Sequence, residues 1–451
     1  MRLMQTSLLH GWFPVCVAIS AFAALAWGVA WRRRPPWHWA IVAAGATVAV
    51  VAMSRVVAVD SPVLGSYPGS FLVWVALPVF ALGAAIWQFF RVEWWRRVVA
   101  FAAVPLLAAF AGVQINAHYG YLPTLGDLFG APLPGQVAAG ALEFPPPSVT
   151  QLTGGHRHRV RLARSRRVHR PISSYLPHVA YQTGVVAQVN IPAPVSGFSA
   201  RAGYVWLPPW YFTHPGAQLP VIMLLAGSPG APGDWVRAGG ALETAAAYAH
   251  AHNGYAPMMV LPDANGSLFG DTECVNGPAG RAETYLTFDV PRFMEARFNA
   301  PADPRRWAVA GLSEGGTCAL DLVARHPNRF RSFADFSGDA APNLGSRSRT
   351  LALLYGGSAS DLTANDPLRW FPLDATKGVA GYFAVGTNDI SHDAVEQRLA
   401  TAARNDGIPI TLDQISGGGH NFPTWARCLA DAFPWIGQRL GANGSNVVRA
   451  A

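Results

Sequence analysis

The sequence around one serine, which has a glycine two residues before it and two residues after it, is typical of a covalent nucleophile. Residues 311–315 read Gly-Leu-Ser-Glu-Gly, after a strand-like RRWAVA and before a helix-like GTCALDLVARH. This arrangement is typical of a nucleophilic serine on a tight turn between a strand and a helix, where the glycines let the two elements approach without a Cβ clash. We therefore predict that Ser313 is a nucleophile that attacks an acyl carbon.

A histidine must accept the proton of this hydroxyl, because a neutral serine is a weak nucleophile. His420, in the sequence Ser-Gly-Gly-Gly-His-Asn-Phe, lies in a flexible loop after the last predicted strand and is the predicted base. His326 closes the helix that begins at the serine, so we interpret it as the terminal cation of that helix. His392 follows the turn that we expect to carry the acid.

An acidic side chain between the serine and the base in the sequence is needed to orient the imidazole. Asp389 follows the strand-like GYFAV in the turn Gly-Thr-Asn-Asp and is the predicted acid. Three other aspartates are alternatives, although their positions are more typical of helix caps; they are Asp361, Asp366 and Asp393.

Two backbone N–H groups should stabilise the negative charge that develops on the substrate oxygen. One belongs to Glu314, directly after the predicted nucleophile. The other is expected in the loop Leu-Leu-Ala-Gly-Ser-Pro-Gly over residues 224–230, where Pro229 cannot donate and Ser228 is the predicted donor. The alternative is that this loop is a plain glycine-rich turn.

A long loop over residues 263–281 should border the same site, because it follows the end of a predicted strand. Its polar side chains could bind a polar or cationic part of a substrate, and we predict this role for Asn265, Asp271 and Glu273. The alternative, that they only form turns, explains Asn265 at least as well.

Four cysteines in a chain of 451 residues are too few for a disulfide scaffold. We predict one disulfide, between Cys274 and Cys318, which would tie the long loop beside the site. Cys16 is interpreted as a small apolar residue of a membrane helix, and Cys428 as a free thiol. No pair has the spacing of a zinc site, and we predict neither a metal nor another cofactor.

Alternating strands and helices must position these side chains. Short apolar runs bounded by Gly, Pro, Asn or Asp predict eight strands, at Gly184–Ile191, Gly203–Leu207, Leu219–Leu225, Met258–Leu261, Trp307–Ala310, Ser332–Phe336, Tyr382–Val385 and Pro409–Gln414. Helices are predicted at Thr284–Phe298, Gly315–His326, Asp393–Asn405 and Thr424–Leu440. This alternation predicts an α/β fold, a mostly parallel sheet with helices on both faces, in which ligands bind at the carboxyl ends of the strands.

The first quarter of the chain has a different character. Hydrophobic residues make up 51% of the sequence and charged residues 13%, against roughly 25% charged in soluble proteins. Four apolar stretches approach the roughly 20 residues that a helix needs to cross a hydrocarbon core; they are Trp12–Trp31, Trp37–Ser54, Phe71–Phe90 and Val98–Val113. We predict an all-α bundle of four transmembrane helices. The alternatives are buried core helices and, for the first stretch, a signal peptide.

Arginines set the predicted orientation of these helices. Arg32, Arg33 and Arg34 lie between the first two stretches, and Arg91, Arg96 and Arg97 lie between the last two. Loops rich in arginine face the cytoplasm. We therefore predict a multi-pass protein of the cell membrane, with both termini and everything after about residue 116 outside the cytoplasm.

A basic segment precedes the α/β region. Residues 154–171 contain seven arginines and three histidines and carry most of the net charge of +8. We expect Arg157–Arg170 to attract anionic lipid or an acidic wall polymer, a solvated connector being the alternative; nucleic-acid binding is not expected outside a membrane. The predicted organisation is transmembrane helices over 1–116, a linker over 117–175, a catalytic domain over 176–440 and a tail over 441–451.

Six motifs follow one another between residues 180 and 440, namely LLAGSPG, GLSEGG, FSGD, NDP, GTND and GGHNFPTW. In this order they resemble the esterase family of α/β-hydrolases, which includes esterase D-like enzymes and the secreted mycolyltransferases of the antigen 85 complex. The resemblance implies an α/β-hydrolase fold with Ser313 as nucleophile, Asp389 as acid and His420 as base. Those mycolyltransferases carry no bundle of four helices.

The expected activity is that of a membrane-anchored serine esterase that forms a covalent acyl-enzyme with a lipid or cell-envelope ester. Transfer of the acyl group to a sugar or lipid hydroxyl is an alternative, because it uses the same residues and differs in what excludes water from the second half-reaction. A non-catalytic envelope-binding protein that keeps the fold is an alternative of another class. A fluorophosphonate probe distinguishes this class, because only an activated serine reacts quickly.

Overall fold

The computed structural model describes residues 2–30, 41–48, 50–51, 70–90, 93–133, 136–137, 180–373 and 376–441. The strands within these ranges are β1 Gln136–Val137, β2 Val185–Val189, β3 Gly203–Leu207, β4 Val221–Leu225, β5 Met258–Leu261, β6 Asn276–Gly277, β7 Gly280–Arg281, β8 Trp307–Leu312, β9 Ser332–Phe336, β10 Ala380–Gly386 and β11 Ile410–Ile415.

The α-helices are α1 Trp12–Ala30, α2 over residues 41–48 and 50–51, α3 Ser70–Gln88, α4 Trp94–Tyr119, α5 Leu125–Leu128, α6 Ala180–Thr183, α7 Pro209–Thr213, α8 Asp234–Arg237, α9 Ala241–Ala251, α10 Ala282–Thr284, α11 Val290–Phe298, α12 Glu314–Arg325, α13 Arg347–Leu353, α14 Ala359–Ala364, α15 Ile390–Asn405 and α16 Phe422–Arg439. A π-helical turn over Tyr285–Asp289 joins α10 to α11.

One large sheet organises the α/β part of the chain. Its strand order is β1-β2-β3-β5-β4-β8-β9-β10-β11. Strand β3 runs antiparallel to β2 and β5, and every other pair is parallel. The predicted α/β-hydrolase fold with a mostly parallel sheet is therefore confirmed.

Two apolar cores lie on the two faces of this sheet. In β4, Val221, Met223 and Leu225 join one core, whereas Ile222 and Leu224 join the other, as the alternation of side chains along a strand requires. Helices α11, α12 and α15 cover the first face, and α9 and α16 cover the second. Strands that are buried on both faces are continuous apolar runs, which is why they were recognisable in the sequence.

All eight predicted strands are present, some with shifted ends. The strand predicted at Trp307–Ala310 extends to Leu312, and the one predicted at Tyr382–Val385 spans Ala380–Gly386. The predicted helix Thr284–Phe298 consists of α10, the π turn and α11. Strand β1 and helix α9 were not predicted: β1 has only two residues, and α9 is alanine-rich with no strong apolar stripe.

The N-terminal helices have the predicted apolar character in part. Among the described residues, two stretches are long and apolar enough to cross a membrane by length and composition, Ser70–Trp87 and Trp94–Tyr119. Helix α1 contains a shorter apolar stretch, Trp12–Trp27. Of the span predicted at Trp37–Ser54, residues 41–48 and 50–51 are helical and the rest lies outside the described residues. Helix α4 contacts both α1 and α3 through Ala21, Ala81, Leu107 and Phe110.

Helix α4 continues beyond the end that its sequence predicted. The prediction stopped at Val113 because Gln114 and Asn116 are polar, but the helix runs to Tyr119. Asn116 donates to the carbonyl of Leu122 over 2.8 Å and accepts from its N–H over 2.7 Å. A side chain that seemed to end the helix therefore binds the chain segment that follows it.

Residues 119–133, which we call the junction segment, pack on the α/β domain, that is, on the large sheet and its covering helices. The Tyr121 ring lies 5.5 Å from that of Phe422, and Arg237 donates to Asp127 and to the Ala131 carbonyl, each over 3.1 Å. A Cβ on Gly120 would lie 2.8 Å from Pro423. The predicted linker of residues 117–175 thus begins with a docked segment, while Arg157–Arg170 lies outside the described residues.

The chain start packs against the same segment. Ser7 forms an antiparallel bridge with Thr124. The N–H of Leu8 donates to the Pro123 carbonyl over 2.9 Å, and the N–H of Leu125 donates to the Thr6 carbonyl over 3.0 Å. The beginning of α1 and the end of α4 therefore lie at the same end of the helices, next to the α/β domain.

Candidate active site

Ser313 occupies a sharp turn between β8 and α12. Its φ of 53° and ψ of −124° lie outside the regions that an L-residue readily adopts. The turn tolerates no side chain at its flanking glycines: a Cβ on Gly311 would overlap the Gly315 carbonyl, and one on Gly315 would overlap the Leu225 carbonyl. This close approach explains the two glycines of the motif and turns the hydroxyl away from the sheet.

Three side chains from separate loops form a continuous hydrogen-bonded chain. The Nε2 atom of His420 lies 3.0 Å from the Ser313 Oγ, and its Nδ1 lies 2.7 Å from Oδ2 of Asp389. Asp389 follows β10, and His420 lies between β11 and α16. The sheet therefore brings together the three residues that were predicted as nucleophile, acid and base.

A second histidine shares the same carboxylate. The Nδ1 atom of His392 lies 2.6 Å from Oδ1 of Asp389, and its ring stacks on that of His420 with 4.3 Å between centroids. Nothing in our sequence prediction gave His392 a role in the site. Its spacing carried a signal, because residues three apart at the start of a helix face the same side.

Electrostatics at Asp389 favour its ionised form. Burial alone would raise its pKa, but the hydrogen bonds from His392 and His420 outweigh burial and lower the pKa below the usual value. Burial would lower the pKa of His392, whereas its hydrogen bond to Asp389 and the charges of Asp389, Asp339 and Asp335 raise it overall. The carboxylate is thus a fixed negative charge between two imidazoles.

The two predicted oxyanion donors flank the serine. A Cβ on Gly227 would lie 3.2 Å from the Ser313 Cβ, so the loop that contains Ser228 runs directly beside the nucleophile. The Ser228 hydroxyl donates to the Gly270 carbonyl over 2.9 Å. Within the described part of the chain, neither the Ser228 nor the Glu314 backbone N–H donates a hydrogen bond. Both N–H groups are therefore available to a substrate oxygen.

The side chain of Glu314 points into a buried polar cluster. It accepts from Nδ2 of Asn265 over 2.6 Å and from the N–H of Glu273 over 3.2 Å. Burial, followed by the charge of Asp271, raises its pKa well above the usual value. The backbone of Glu314 thus faces the predicted oxyanion site, while its side chain holds the 263–281 loop.

The predicted substrate contacts in that loop are only partly accessible. Asn265 is 8% exposed and Glu273 4% exposed. Asn265 uses both side-chain polar atoms within the protein, because its Oδ1 accepts from the N–H of Thr272 over 3.1 Å. We therefore correct the prediction for Asn265 and Glu273, whose place is structural. Asp271 is half-buried, and its contact with substrate stays a prediction.

A disulfide between Cys274 and Cys318 connects this loop to α12. It joins the residue after Glu273 to the second turn of the helix that begins at Glu314. Cys428 is a free, buried cysteine and Cys16 is exposed on α1. The loop, the nucleophile turn and the helix that follows it are therefore covalently linked.

Among the residues that the structure describes, two groups of side chains have ligand atoms close enough for a metal ion. In the first, Cys274, Glu314 and Cys318, both sulfurs are already joined to each other. The second is Asp389, His392 and His420, and there both Nδ1 atoms bind Asp389 while Nε2 of His420 faces Ser313. The hydrogen bonds of the second group already account for its arrangement.

A cavity of about 350 Å³ lies between the junction segment and the catalytic domain. Its polar walls come from separate parts of the chain, and include Tyr121, Asp127, Gln188, Arg201, Asp234 and Arg237. Burial raises the pKa of Asp234 to about 6. Ala231, Pro232 and Gly233 also line it, so the cavity connects the junction segment to the loop that carries Ser228.

Residues 199–436 match the family described as "Putative esterase", and this range is more than half of the 451 residues. The chain belongs to this esterase family. An uncharacterized protein of Corynebacterium glutamicum is similar to this esterase over almost its whole length, with 31% identity over 97% of each chain.

Named relatives match over shorter ranges. An S-formylglutathione hydrolase of Paracoccus denitrificans is 28% identical over 38% of this esterase and 61% of the relative. The diacylglycerol acyltransferase/mycolyltransferase Ag85A of Mycobacterium leprae is 27% identical over 36% of this esterase and 57% of the relative. A solved ferulic acid esterase has a TM-score of 0.49 and 20% identity, and covers 57% of this esterase and 98% of its own chain. This esterase is a serine hydrolase by family.

Proposed function

We propose that this esterase is anchored in a membrane and cleaves a lipid or cell-envelope ester outside the cytoplasm through a covalent acyl-enzyme. The observation that carries the chemistry is the chain of contacts from Ser313 through His420 to Asp389, at 3.0 and 2.7 Å. These distances suit proton transfer and orientation of the imidazole without a change of conformation.

In the first half-reaction, the Ser313 oxygen attacks the ester carbon while its proton passes to Nε2 of His420. Asp389 stabilises the imidazolium, and the N–H groups of Ser228 and Glu314 bind the oxygen that becomes negative. The imidazolium then gives its proton to the leaving alcohol, and an acyl-serine remains. Water, activated by the same imidazole, releases the acid and restores the hydroxyl.

Several features support the location. The arginines that flank the apolar helices favour an orientation in which both termini lie outside the cytoplasm. The contact of Thr6 and Leu8 with the junction segment supports a position of the chain start on the same side as the catalytic domain. A disulfide suits an oxidising compartment. The arginines between Arg157 and Arg170 would strengthen contact with anionic lipid or wall polymer.

Acyl transfer is the second candidate, and the similarity to a relative named as a diacylglycerol acyltransferase/mycolyltransferase favours it. The acyl-serine is common to both reactions, and only the acceptor differs. Product analysis with and without an added sugar or glycerol distinguishes them, because transfer yields a new ester and hydrolysis yields the free acid.

The proposal is tested on a short aryl ester with the full chain in detergent. Ser313→Ala and His420→Ala should each lower kcat/KM by about 10⁴-fold or more, because the serine and its base act as a unit. A fluorophosphonate probe should label the wild type and not Ser313→Ala. Ser360→Ala, at an exposed serine, serves as the control. Undiminished turnover in Ser313→Ala would contradict the assignment of the nucleophile. A wild type that is neither labelled nor active would contradict the proposal and favour a binding protein.

A further inference from the structure

Two imidazoles compete for one carboxylate at the centre of the site. Asp389 is 2% exposed, and each of its oxygens accepts one hydrogen bond, from His392 over 2.6 Å and from His420 over 2.7 Å. We propose that His392 is a positioning residue and the second proton-binding group of the site: when neutral it holds Asp389 in place, and when protonated it suppresses the reaction. This inference rests on the proposed role of His420 as base.

The neutral form of His392 fixes the acid. Its Nδ1–H donates to Oδ1 of Asp389, which leaves Oδ2 directed at His420. Asp389 makes a further backbone contact, through its N–H to the Gly386 carbonyl over 2.9 Å. The carboxylate therefore cannot rotate towards or away from His420 without losing a charge-assisted hydrogen bond.

The charged form of His392 has partners on three elements. On its own helix it faces Asp389 and the Ser391 hydroxyl, at 2.6 and 3.4 Å. From the segment after β9, Oδ1 of Asp339 lies 3.8 Å from its Nε2. Asp335 in β9 is also near, but burial raises its pKa to about 7, so its carboxyl group is mostly neutral in mild acid. From the loop before α16, the ring of His420 stacks on it at 4.3 Å. The carboxylates of Asp389 and Asp339 favour a proton on His392 in mild acid.

A proton on His392 opposes the proton transfer at His420. During attack, the proton of Ser313 moves to Nε2 of His420, and the imidazolium that forms depends on the negative charge of Asp389. A second cation stacked 4.3 Å away repels this imidazolium and shares the same carboxylate. Activity therefore requires that both rings begin without an extra proton, and the two titrations are coupled.

The pH dependence of kcat/KM tests this proton count. Below both pKa values, the wild type should lose activity about 100-fold per pH unit, because two protons inhibit, whereas His392→Asn should lose about tenfold per unit. Asparagine keeps an N–H donor near the position of Nδ1 but does not titrate. Activity regained after return to pH 8 excludes irreversible unfolding, and an unchanged near-UV circular dichroism spectrum at the lowest pH excludes reversible unfolding. His326→Asn is the matched control, because His326 also contacts a carboxylate, Glu283, over 2.7 Å. In this variant kcat/KM should still fall about 100-fold per pH unit.

A second variant separates the donor from the charge. His392→Phe keeps a ring beside His420 but has no N–H, so kcat/KM should fall about tenfold to a hundredfold at every pH, as expected for loss of a hydrogen bond to a charged group. His392→Asn should restore most of this loss at pH 8. The inference would be overturned if kcat/KM of the wild type fell only about tenfold per pH unit, or if that of His392→Asn fell about 100-fold per unit.

A readout without turnover distinguishes this inference from the proposed reaction. Ring resonances of ¹³C-labelled histidine should show His420 titrating in two steps in the wild type and in one step in His392→Asn. If Ser313→Ala retains activity while this coupling is observed, the proposed reaction is wrong, but the inference that His392 and His420 share Asp389 is supported. If His420 titrates in one step in both proteins, the inference fails whatever the activity.

Discussion

Individual carboxyl groups beneath the candidate site are held in two opposite states. Asp389 is kept ionised by two imidazoles, whereas Asp335 and Glu396 are fully buried side by side. The Gly338 N–H contacts both, at 2.9 Å from Asp335 and 3.2 Å from Glu396. Burial, followed by the charge of Asp335, raises the pKa of Glu396 well above its usual value. We interpret the pair as sharing a proton at neutral pH.

Replacing Glu396 with glutamine should stabilise the protein in mild alkali. The raised pKa means that the folded wild type holds a proton that the unfolded chain releases above about pH 4.5, so the free energy of unfolding falls as pH rises. Glutamine is neutral and removes this dependence. At pH 8 the unfolding midpoint of Glu396→Gln should exceed that of the wild type by about 2–4 °C per kcal/mol gained.

Calorimetry at pH 5 and pH 8 measures the effect of Glu396→Gln. The gain should shrink towards pH 5, where the wild-type pair is protonated. Glu243→Gln, at an exposed glutamate of α9, should leave the midpoint nearly unchanged at both pH values. A variant that is less stable at pH 8, or a gain that is independent of pH, would show that the pair is not protonated as described.

Residue chemistry was predictable where a local motif fixes the geometry. The turn at Ser313 and the chain order of acid and base predicted three side chains that the sheet does bring together. Contacts between separate loops were not predictable. Asn265 and Glu273 were expected to face substrate, but their orientation depends on Glu314, which lies more than forty positions away in the sequence.

At the scale of elements, the junction segment contacts the loops that carry the predicted base and an oxyanion donor. Gly120 packs on Pro423, which follows His420 by three positions, and Arg237 in α8 binds Asp127. Gly120 ends α4 in the left-handed conformation, with φ of 67°. The last apolar helix is thus directly connected to the loop that holds His420.

A paired substitution in this segment tests whether the contact positions the base. Gly120→Ala would place a Cβ 2.8 Å from Pro423, so it should displace the His420 loop and lower kcat/KM about tenfold or more. Gly130→Ala is the matched control, because Gly130 has a similar φ of 65° and nothing within 4 Å of its added Cβ. Both variants carry the same backbone strain, at about 1–2 kcal/mol.

Activity of the two glycine variants is compared after normalising to the fraction labelled by a fluorophosphonate at saturation. Equal losses in both would show that strain in the segment, and not the contact with Pro423, is responsible. Full activity in Gly120→Ala would show that the junction segment does not position His420.

Elements that are buried on both faces were predicted from the sequence, and marginal ones were not. Strands β4 and β8 are continuous apolar runs and were recognised within one or two residues of their ends. Strand β1 exists through its pairing with β2 rather than through its own sequence. The prediction of helix α4 stopped at Val113, although the helix runs to Tyr119, because the polar side chain of Asn116, which binds the next segment, resembles a helix end.

For the whole molecule, the question is how the apolar helices orient the catalytic domain. The start of α1 and the end of α4 meet at the junction segment. If these helices span a membrane, they therefore cross it an even number of times. Three apolar helices, α1, α3 and α4, are described in full, and α2 over residues 41–48 and 50–51 lies between α1 and α3 in the sequence. With four crossings, the arginine-rich loops and the catalytic domain would lie on opposite sides of the membrane.

Reporter fusions test this arrangement directly. Alkaline phosphatase, which folds only outside the cytoplasm, should be active when fused after Gly441 and inactive when fused in the loop between α3 and α4. A fluorescent protein that matures only in the cytoplasm should give the reverse pattern at the same two positions. Arg91, Arg96 and Arg97 around that loop are the physical reason for the expected orientation. If the phosphatase fused after Gly441 is inactive and the fluorescent protein fused there is fluorescent, the catalytic domain faces the cytoplasm. The disulfide would then lie in a reducing compartment, and an envelope ester would not be within reach of Ser313.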